Sequence, residues 1–137
     1  MRGSAGTRTL FSIVIVLALL AIPFMYASQK QLHASYRKRA AADIRTLMGA
    51  LDDFASGNVQ AYPRDLDAWF AKEALNSPYL VRYHGRMPRD GWGHPFVYEP
   101  PTEVRPRARI VSYGADGVRG GTGSDADIDS EALPRAP

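Results

Sequence analysis

Three aspartates in a glycine-rich segment near the C-terminus have the chemistry to bind a metal ion. Asp116, Asp125 and Asp127 lie in the segment GADGVRGGTGSDADID, which has glycines at positions 114, 117, 120, 121 and 123. Glycine lets the chain fold back sharply, so the three carboxylates could surround one cation. Calcium takes about six to eight oxygen ligands in loose geometry, whereas zinc prefers nitrogen or sulfur. Composition alone favours the alternative, a solvated acidic loop.

The three histidines form no recognisable catalytic arrangement in the sequence. His33, His84 and His94 occur with several serines and aspartates, but the G-x-S-x-G, H-E-x-x-H and phosphate-binding-loop patterns are all absent from the sequence. Histidines in a turn-rich segment are by default structural. We therefore predict no catalytic residue and no enzymatic activity.

The composition restricts the class of protein further. The chain has 137 residues, of which 45% are hydrophobic and 23% charged, as in one folded domain of ordinary size. The net charge of +3 combines a basic N-terminal part with an acidic segment after Ala115, which argues against nucleic-acid binding. Because the chain has no cysteine, disulfides, thiolate zinc sites and iron–sulfur clusters are excluded.

An uncharged run near the N-terminus predicts a transmembrane helix. Residues 9–29 carry no formal charge, and a helix of 21 residues is long enough for the hydrocarbon core of a bilayer, about 30 Å. A cleaved secretory signal is the alternative, because Arg2 and Arg8 precede the apolar run. Small residues at both the −3 and −1 positions of a signal-peptidase site are hard to place after that run, since a cut after Ala27 puts Met25 at −3, and this favours an uncleaved anchor. The distribution of basic residues leaves the orientation undecided.

The helical pattern continues beyond the apolar run. Apolar residues at spacings of three and four form one stripe of an amphipathic helix that packs on a core. The stripe consists of Tyr36, Ala40, Ile44, Leu47, Leu51 and Phe54. Pro23 predicts a kink, and Gly57 followed by Asn58 predicts the end of the helix. The basic cluster at residues 37–39 is either a solvated face or a contact to lipid headgroups.

The second half of the chain predicts short elements joined by turns. A helical stretch is expected over residues 66–75, and strands over residues 96–98 and 108–113, joined by a proline-rich hairpin loop. Trp92, in a Gly-Trp-Gly turn, is predicted to fill the core. The tail from residue 130 shows no pattern.

Two ordered motifs carry a resemblance to a known family. The segment PRDGWGHPF at residues 88–96 is followed by SYGADG at residues 112–117, then by Gly120-Gly121 and by DADI at residues 125–128. Together with the hydrophobic N-terminal helix, these motifs resemble the major pseudopilin of bacterial type II secretion systems, the general secretion pathway protein G family, over about residues 40–128. The resemblance implies an α+β, type IV pilin-like fold, with a long N-terminal helix packed on a small antiparallel sheet.

The resemblance implies a structural role in protein export. In the family, subunits assemble through their helices into a periplasmic pseudopilus that drives export. The implied partners are other pseudopilins, inner-membrane proteins of the secretion machinery, and further copies of the chain in a helical filament. The implied location is the bacterial inner membrane, with a single pass and the globular domain in the periplasm.

The resemblance also implies calcium as the cofactor. In the family, the loop after the last strand binds calcium. The ligands carried over to this sequence are the side chains of Asp116, Asp125 and Asp127 and the backbone carbonyl of Tyr113. The ion would have a structural role, tying the glycine-rich loop to the sheet.

The N-terminus departs from the pattern of the family. Gly6 is followed by Thr7 and Arg8, and Phe11 stands where the family has a glutamate. Two hypotheses follow: a pseudopilus subunit or regulator, and an uncleaved, membrane-anchored, calcium-stabilised binding module that does not polymerise.

The same features predict four segments along the chain. Residues 1–29 form the N-terminal segment and transmembrane anchor, and residues 30–57 the amphipathic continuation of the helix. Residues 58–129 form the periplasmic globular domain with the calcium loop, and residues 130–137 a flexible tail.

Overall fold

The apolar run and the amphipathic stripe belong to one helix, α1 (Ser4–Gly57), which is 54 residues long. The computed structural model describes residues 4–57 and 61–134. Helix α1 includes Pro23 and ends at Gly57, as predicted, while Asn58 lies outside the described residues. The elements that follow are α2 (Leu66–Glu73), a 3-10 turn (Val81–Tyr83), β1 (Val97–Glu99), β2 (Arg109–Ser112) and β3 (Ile128–Asp129).

The chain divides into two units, residues 1–34 and 35–137. In the first unit, the large apolar side chains from Leu10 to Tyr26 are between 51% and 77% exposed. By length and composition this helix is able to cross a membrane. The prediction of one N-terminal apolar helix is therefore confirmed.

The core of the second unit is built on the predicted stripe of α1. Ala40, Ile44, Leu47 and Leu51 are completely buried, and the two ends of the stripe, Tyr36 and Phe54, are half-buried. The same buried cluster contains residues of α2 and of the sheet, namely Leu66, Trp69, Phe70, Ile110 and Ile128. The ring of Phe54 meets that of Trp69 edge to face, with centroids 5.8 Å apart. A stripe at helical spacing thus becomes the central surface on which the other elements pack.

The sheet has three antiparallel strands in the order β1-β2-β3. Val97 pairs with Val111 across β1 and β2, and Val111 pairs with Asp129 across β2 and β3. The two predicted strands are confirmed within one or two residues at their ends, and the α+β, pilin-like fold class is confirmed. The sequence did not predict β3, because two residues are too few to show alternation. Ser130 extends the pairing, since its N–H donates to the Ile110 carbonyl at 3.0 Å.

Two tyrosines on either side of α2 bind acidic residues of α1. Tyr62 Oη donates to Asp52 Oδ1 at 2.6 Å, and Tyr83 Oη donates to Asp43 Oδ1 at 2.8 Å. Burial and the Asp43 carboxylate raise the pKa of Tyr83, which keeps the phenol protonated and able to donate. Helix α2 begins at its N-cap Asp65, whose carboxylate accepts the N–H of Ala68 at 3.0 Å. It ends at Glu73, two residues before the predicted end.

Candidate functional site

A buried carboxylate organises the turn before β1. Asp90 is only 4% exposed, and its Oδ1 accepts the backbone N–H groups of Trp92 at 3.1 Å and His94 at 2.8 Å. Its Oδ2 accepts the hydroxyl of Ser112 on β2 at 2.7 Å. These three bonds compensate the cost of burying the charge. Sequence reasoning missed Asp90, although an aspartate that opens a Gly-Trp-Gly turn is a usual signal for such bonds.

The same turn packs against α1. The rings of Trp92 and Tyr36 meet nearly at right angles, with centroids 5.9 Å apart. A Cβ at Gly91 would overlap the backbone and Cβ of Tyr36, so only glycine allows this approach. Trp92 is half-buried and packs against the buried cluster, at its edge rather than at its centre.

The predicted metal ligands lie in the loop between β2 and β3. Tyr113 directly follows β2 and is half-buried, Asp116 is exposed, and Asp125 and Asp127 are half-buried. The Asp116 and Asp127 carboxylates each accept one backbone N–H at 3.0 Å, from Val118 and Gly120. Asp125 Oδ1 is 3.4 Å from the Ser124 hydroxyl. Each carboxylate therefore uses part of its hydrogen-bonding capacity within the loop.

The loop closes on itself through its backbone. The N–H of Ala115 donates to the Ser124 carbonyl at 3.0 Å. This bond brings together the two limbs of the loop, which are the segment after β2 and the segment before β3. Gly114 has a φ of 71°, and a Cβ there would lie 2.5 Å from the Asp125 carbonyl oxygen. A second glycine, Gly121, faces the same carbonyl, at 2.8 Å from its own ideal Cβ. The predicted role of glycine in folding the segment back is thus visible at two positions.

The ligand atoms that this loop offers suit a hard cation. The three carboxylates and the carbonyl of Tyr113 offer only oxygen, which calcium prefers. Among residues 4–57 and 61–134, however, no group of three or more histidine or carboxylate side chains is placed to hold a metal ion. Backbone carbonyls would have to complete the site. The set Tyr113, Asp116, Asp125 and Asp127 stays a prediction.

Two side chains from elements other than β2 contact the backbone of the loop beside the candidate ligands. Arg37 of α1 donates from Nη1 to the Ala126 carbonyl at 2.5 Å, and His94 Nε2 lies 3.2 Å from the Ala115 carbonyl oxygen. For the basic cluster at residues 37–39, the sequence predicts either a solvated face or a contact to lipid headgroups. For Arg37 the structure shows a different role, because its half-buried side chain reaches the loop.

Comparisons with known proteins identify the family. The profile of the family described as type II secretion system, protein G, matches residues 28–131. The chain belongs to this family. The type II secretion system core protein G of Vibrio cholerae serotype O1 is 30% identical over 125 residues, which cover 85% of this chain and 82% of that protein. The core protein G of Pseudomonas aeruginosa is 32% identical over 121 residues, covering 82% and 81%. That of Xanthomonas campestris pv. campestris is 28% identical over 130 residues, covering 92% and 89%.

Membership of this pseudopilin family confirms the resemblance stated from the sequence motifs. It confirms that the chain is a structural protein and not an enzyme. It also places the chain among the components of the secretion machinery, as predicted.

The pseudopilin sheet carries a second group of carboxylates, which are paired with arginines. Arg109 on β2 lies between Glu99 on β1, at 3.1 Å, and Asp129 on β3. Arg105 binds Glu99 at 2.6 Å. Arg107 binds Asp52 of α1 through Nε at 3.1 Å and also through Nη2. These contacts join all three strands to each other and the β1–β2 connection to α1.

The arginines lower the pKa values of the paired acids. The hydrogen bond from Arg105 lowers the pKa of Glu99, and the bond from Arg109 adds to this against the opposing effect of burial. For Asp129, burial acts to raise the pKa, but hydrogen bonds from Arg109 and from the N–H of Glu131, with the arginine charges, outweigh it. Both acids are therefore more firmly ionised than free carboxylates.

Proposed function

We propose that the chain is a structural subunit of a type II secretion pseudopilus, anchored in the bacterial inner membrane with residues 35–134 in the periplasm. The family match over residues 28–131 is the observation that carries the proposal. The exposed apolar side chains of α1 support it, because a helix with such a surface requires lipid or other helices around it.

The proposed partners are other pseudopilins, inner-membrane proteins of the secretion machinery, and further copies of the chain in a helical filament. Helices in lipid associate through packing and not through the hydrophobic effect. The first unit offers such a surface, since its large apolar side chains from Leu10 to Tyr26 are at least 51% exposed.

Phe11 favours a second candidate function. The family has a glutamate at this position, whereas Phe11 is apolar and 74% exposed. A charge in the membrane is costly unless it has a function, and its loss removes both the cost and the function. The second candidate is thus an uncleaved, membrane-anchored binding module that does not polymerise.

Disulfide crosslinking in native membranes separates the two candidates. Because the chain has no cysteine, a crosslinked homodimer of a single-cysteine variant reports a contact between two copies at that position. Leu17→Cys, in the exposed apolar part of α1, should give crosslinked dimers when the secretion machinery is present. Val104→Cys, which is 94% exposed in the β1–β2 connection, measures random collision. Crosslinking of Leu17→Cys at the level of that control would contradict assembly through the helices.

The intact mass of the extracted protein gives an independent test. A mass lacking the first six residues, with or without an added methyl group, would support processing and a role in the filament. The full-length mass would favour the anchored module.

We also propose that the loop between β2 and β3 binds calcium. Asp116, Asp125 and Asp127 would supply carboxylates and Tyr113 a backbone carbonyl. The oxygen-only donor set supports this assignment, as do the glycines that let the two limbs approach. The bound ion would tie the limbs together and stabilise the folded domain.

A further inference from the structure

Arg37 and His94 hold the two limbs of the loop between β2 and β3, and both side chains contact backbone carbonyls. Arg37 binds the Ala126 carbonyl at 2.5 Å, and His94 Nε2 lies 3.2 Å from the Ala115 carbonyl. Ala115 directly precedes Asp116, and Ala126 lies between Asp125 and Asp127. Each contact therefore falls next to a candidate ligand without using its carboxylate.

We propose that Arg37 and His94 are positioning residues for cation binding: they fix the two limbs so that the aspartate carboxylates are left to the ion. This inference rests on the proposed calcium site. Neither residue is a ligand in it.

A glycine-rich loop has a large conformational entropy, which binding of an ion must reduce. A loop already fixed in its bound conformation loses less entropy on binding and so binds more tightly. Contacts to backbone carbonyls have a further advantage here, because a guanidinium bound to the carboxylate of Asp125 or Asp127 would compete with the cation. In the described part of the chain, Asp116, Asp125 and Asp127 form no ion pair with any arginine or lysine.

The buried Asp90 holds His94 in place for this contact. Its carboxylate binds the His94 N–H and the Ser112 hydroxyl, and Ser112 Oγ lies 3.4 Å from the N–H of Gly114, where the loop begins. The His94 ring fills the space beside Gly117, since a Cβ on Gly117 would lie 2.9 Å from the ring. One carboxylate thus sets both the histidine and the start of the loop.

The charge of Arg37 makes the proposal easy to test, because two effects of removing it have opposite signs. Loss of a nearby positive charge strengthens the binding of a cation by electrostatics alone. Loss of a positioning contact weakens it. The direction of the change in calcium affinity therefore decides between them.

The experiment is a calcium titration of the full-length chain in detergent micelles by isothermal calorimetry. Arg37→Ala should weaken calcium binding by about tenfold or more, as loss of an outer contact to a metal site typically does. Arg37→Lys should recover part of the affinity. Lys38→Ala is the matched control, since it removes the same charge from the next, exposed position. Arg37→Ala with affinity equal to or tighter than that of Lys38→Ala would overturn the proposal.

The histidine is tested in the same way. His94→Ala should weaken calcium binding, and His94→Gln, which keeps a donor of similar reach, should restore much of it. The exposed His84, which has a φ of 51°, gives the control His84→Asn. Equal affinities for His94→Ala and His84→Asn would overturn the role of His94.

Hydrogen exchange in the absence of calcium separates this inference from the calcium site itself. Arg37→Ala should speed exchange of the Asp125 and Asp127 amides, which bond to the Thr122 and Gly120 carbonyls. His94→Ala should act first on the Ala115 amide. If the unmodified chain binds no calcium, the proposed site is wrong, and these limb-specific effects still support the anchoring. Uniform exchange in all variants would overturn it.

Discussion

The sheet and the loop of the second unit both carry aspartates or glutamates, but the carboxylates of the two regions have different hydrogen-bond partners. On the sheet, Glu99 and Asp129 bind Arg109, a partner fixed on the middle strand. In the loop, the carboxylates of Asp116 and Asp127 accept backbone N–H groups. Within the described residues, no other hydrogen bond and no ion pair reaches these two carboxylates. The first arrangement is complete within the chain. The second leaves carboxylate oxygens available to a cation.

The difference shows that the position of a carboxylate, and not its residue type, determines whether the fold supplies it with an arginine partner. A strand places side chains at fixed distances, so a permanent arginine partner can be provided. A glycine-rich loop has no such spacing, and the proposed calcium ion would take the place of that partner. Four experiments separate the two regions, beginning with the largest expected effect.

Calcium should stabilise the domain, and only through the loop. At a free calcium concentration about 100 times the Kd, the free energy of unfolding should rise by about 2.7 kcal/mol. Asp116→Ala should abolish this gain and should lower stability in chelator by less than about 0.5 kcal/mol, since it removes one exposed hydrogen bond to the Val118 N–H. Urea denaturation of the full-length chain in micelles, with calcium or with chelator, measures both. Glu103→Ala, an exposed acid outside the loop, is the control. Identical curves in calcium and chelator would exclude the site.

Removing the arginine of the sheet should be costly whether or not calcium is present. Arg109→Ala leaves Asp129 without its guanidinium and Glu99 with only Arg105, and should lower the free energy of unfolding by about 2 kcal/mol. The exposed Arg86→Ala is the matched control. Denaturation in calcium and in chelator should give the same loss. A loss that appears only with calcium would mean that the two regions are not independent.

Acid should weaken the sheet in a defined range of pH. The folded structure lowers the pKa values of Glu99 and Asp129 from their usual 4.5 and 3.8. The stabilisation that the two ionised acids give the domain is therefore complete above these usual values. It is lost as the pH falls through the lower pKa values of the folded state. The expected loss is roughly 1 kcal/mol, because both pairs are partly exposed. Thermal unfolding in chelator from about pH 7 to about pH 2.5 measures it. Arg109→Ala should lose less over the same range, and an equal loss would refute the assignment.

The contact at the edge of the arginine network, between Arg109 and Glu131, should contribute little to the stability of the domain. Glu131 lies 3.8 Å from Arg109 Nε, and its side chain is 54% exposed. Glu131→Ala should therefore change the free energy of unfolding by less than about 0.5 kcal/mol. A loss as large as that of Arg109→Ala would show that the network extends beyond the paired strands.

The sequence predicted best where many residues repeat one signal. Six apolar residues at helical spacing identified the face of α1 that forms the core, and the aromatic and β-branched residues identified β1 and β2. Strand β3 was not predictable in this way, since Ile128 and Asp129 become a strand only by pairing with β2. The motifs of the resemblance, spread over many positions, identified the family.

The contacts of individual polar residues were not predictable. Asp90 has a turn signal in the sequence, but only the fold brings it to Ser112, and only the fold brings Arg37 to the loop. Arg105, Arg107 and Arg109 alternate in the sequence, but only Arg109 lies on a strand, so the period of two does not predict their partners. Their partners, Glu99, Asp52 and Asp129, depended on register and on the packing of α1.

The two tyrosines that bind α1 have a consequence for how the domain opens. Tyr62 and Tyr83 attach the segment around α2 at both of its ends, to Asp52 and Asp43, which lie nine residues apart on the same helix. A segment fastened at both ends cannot fray from either one. It should therefore detach as one cooperative unit, together with the buried side chains of Trp69 and Phe70.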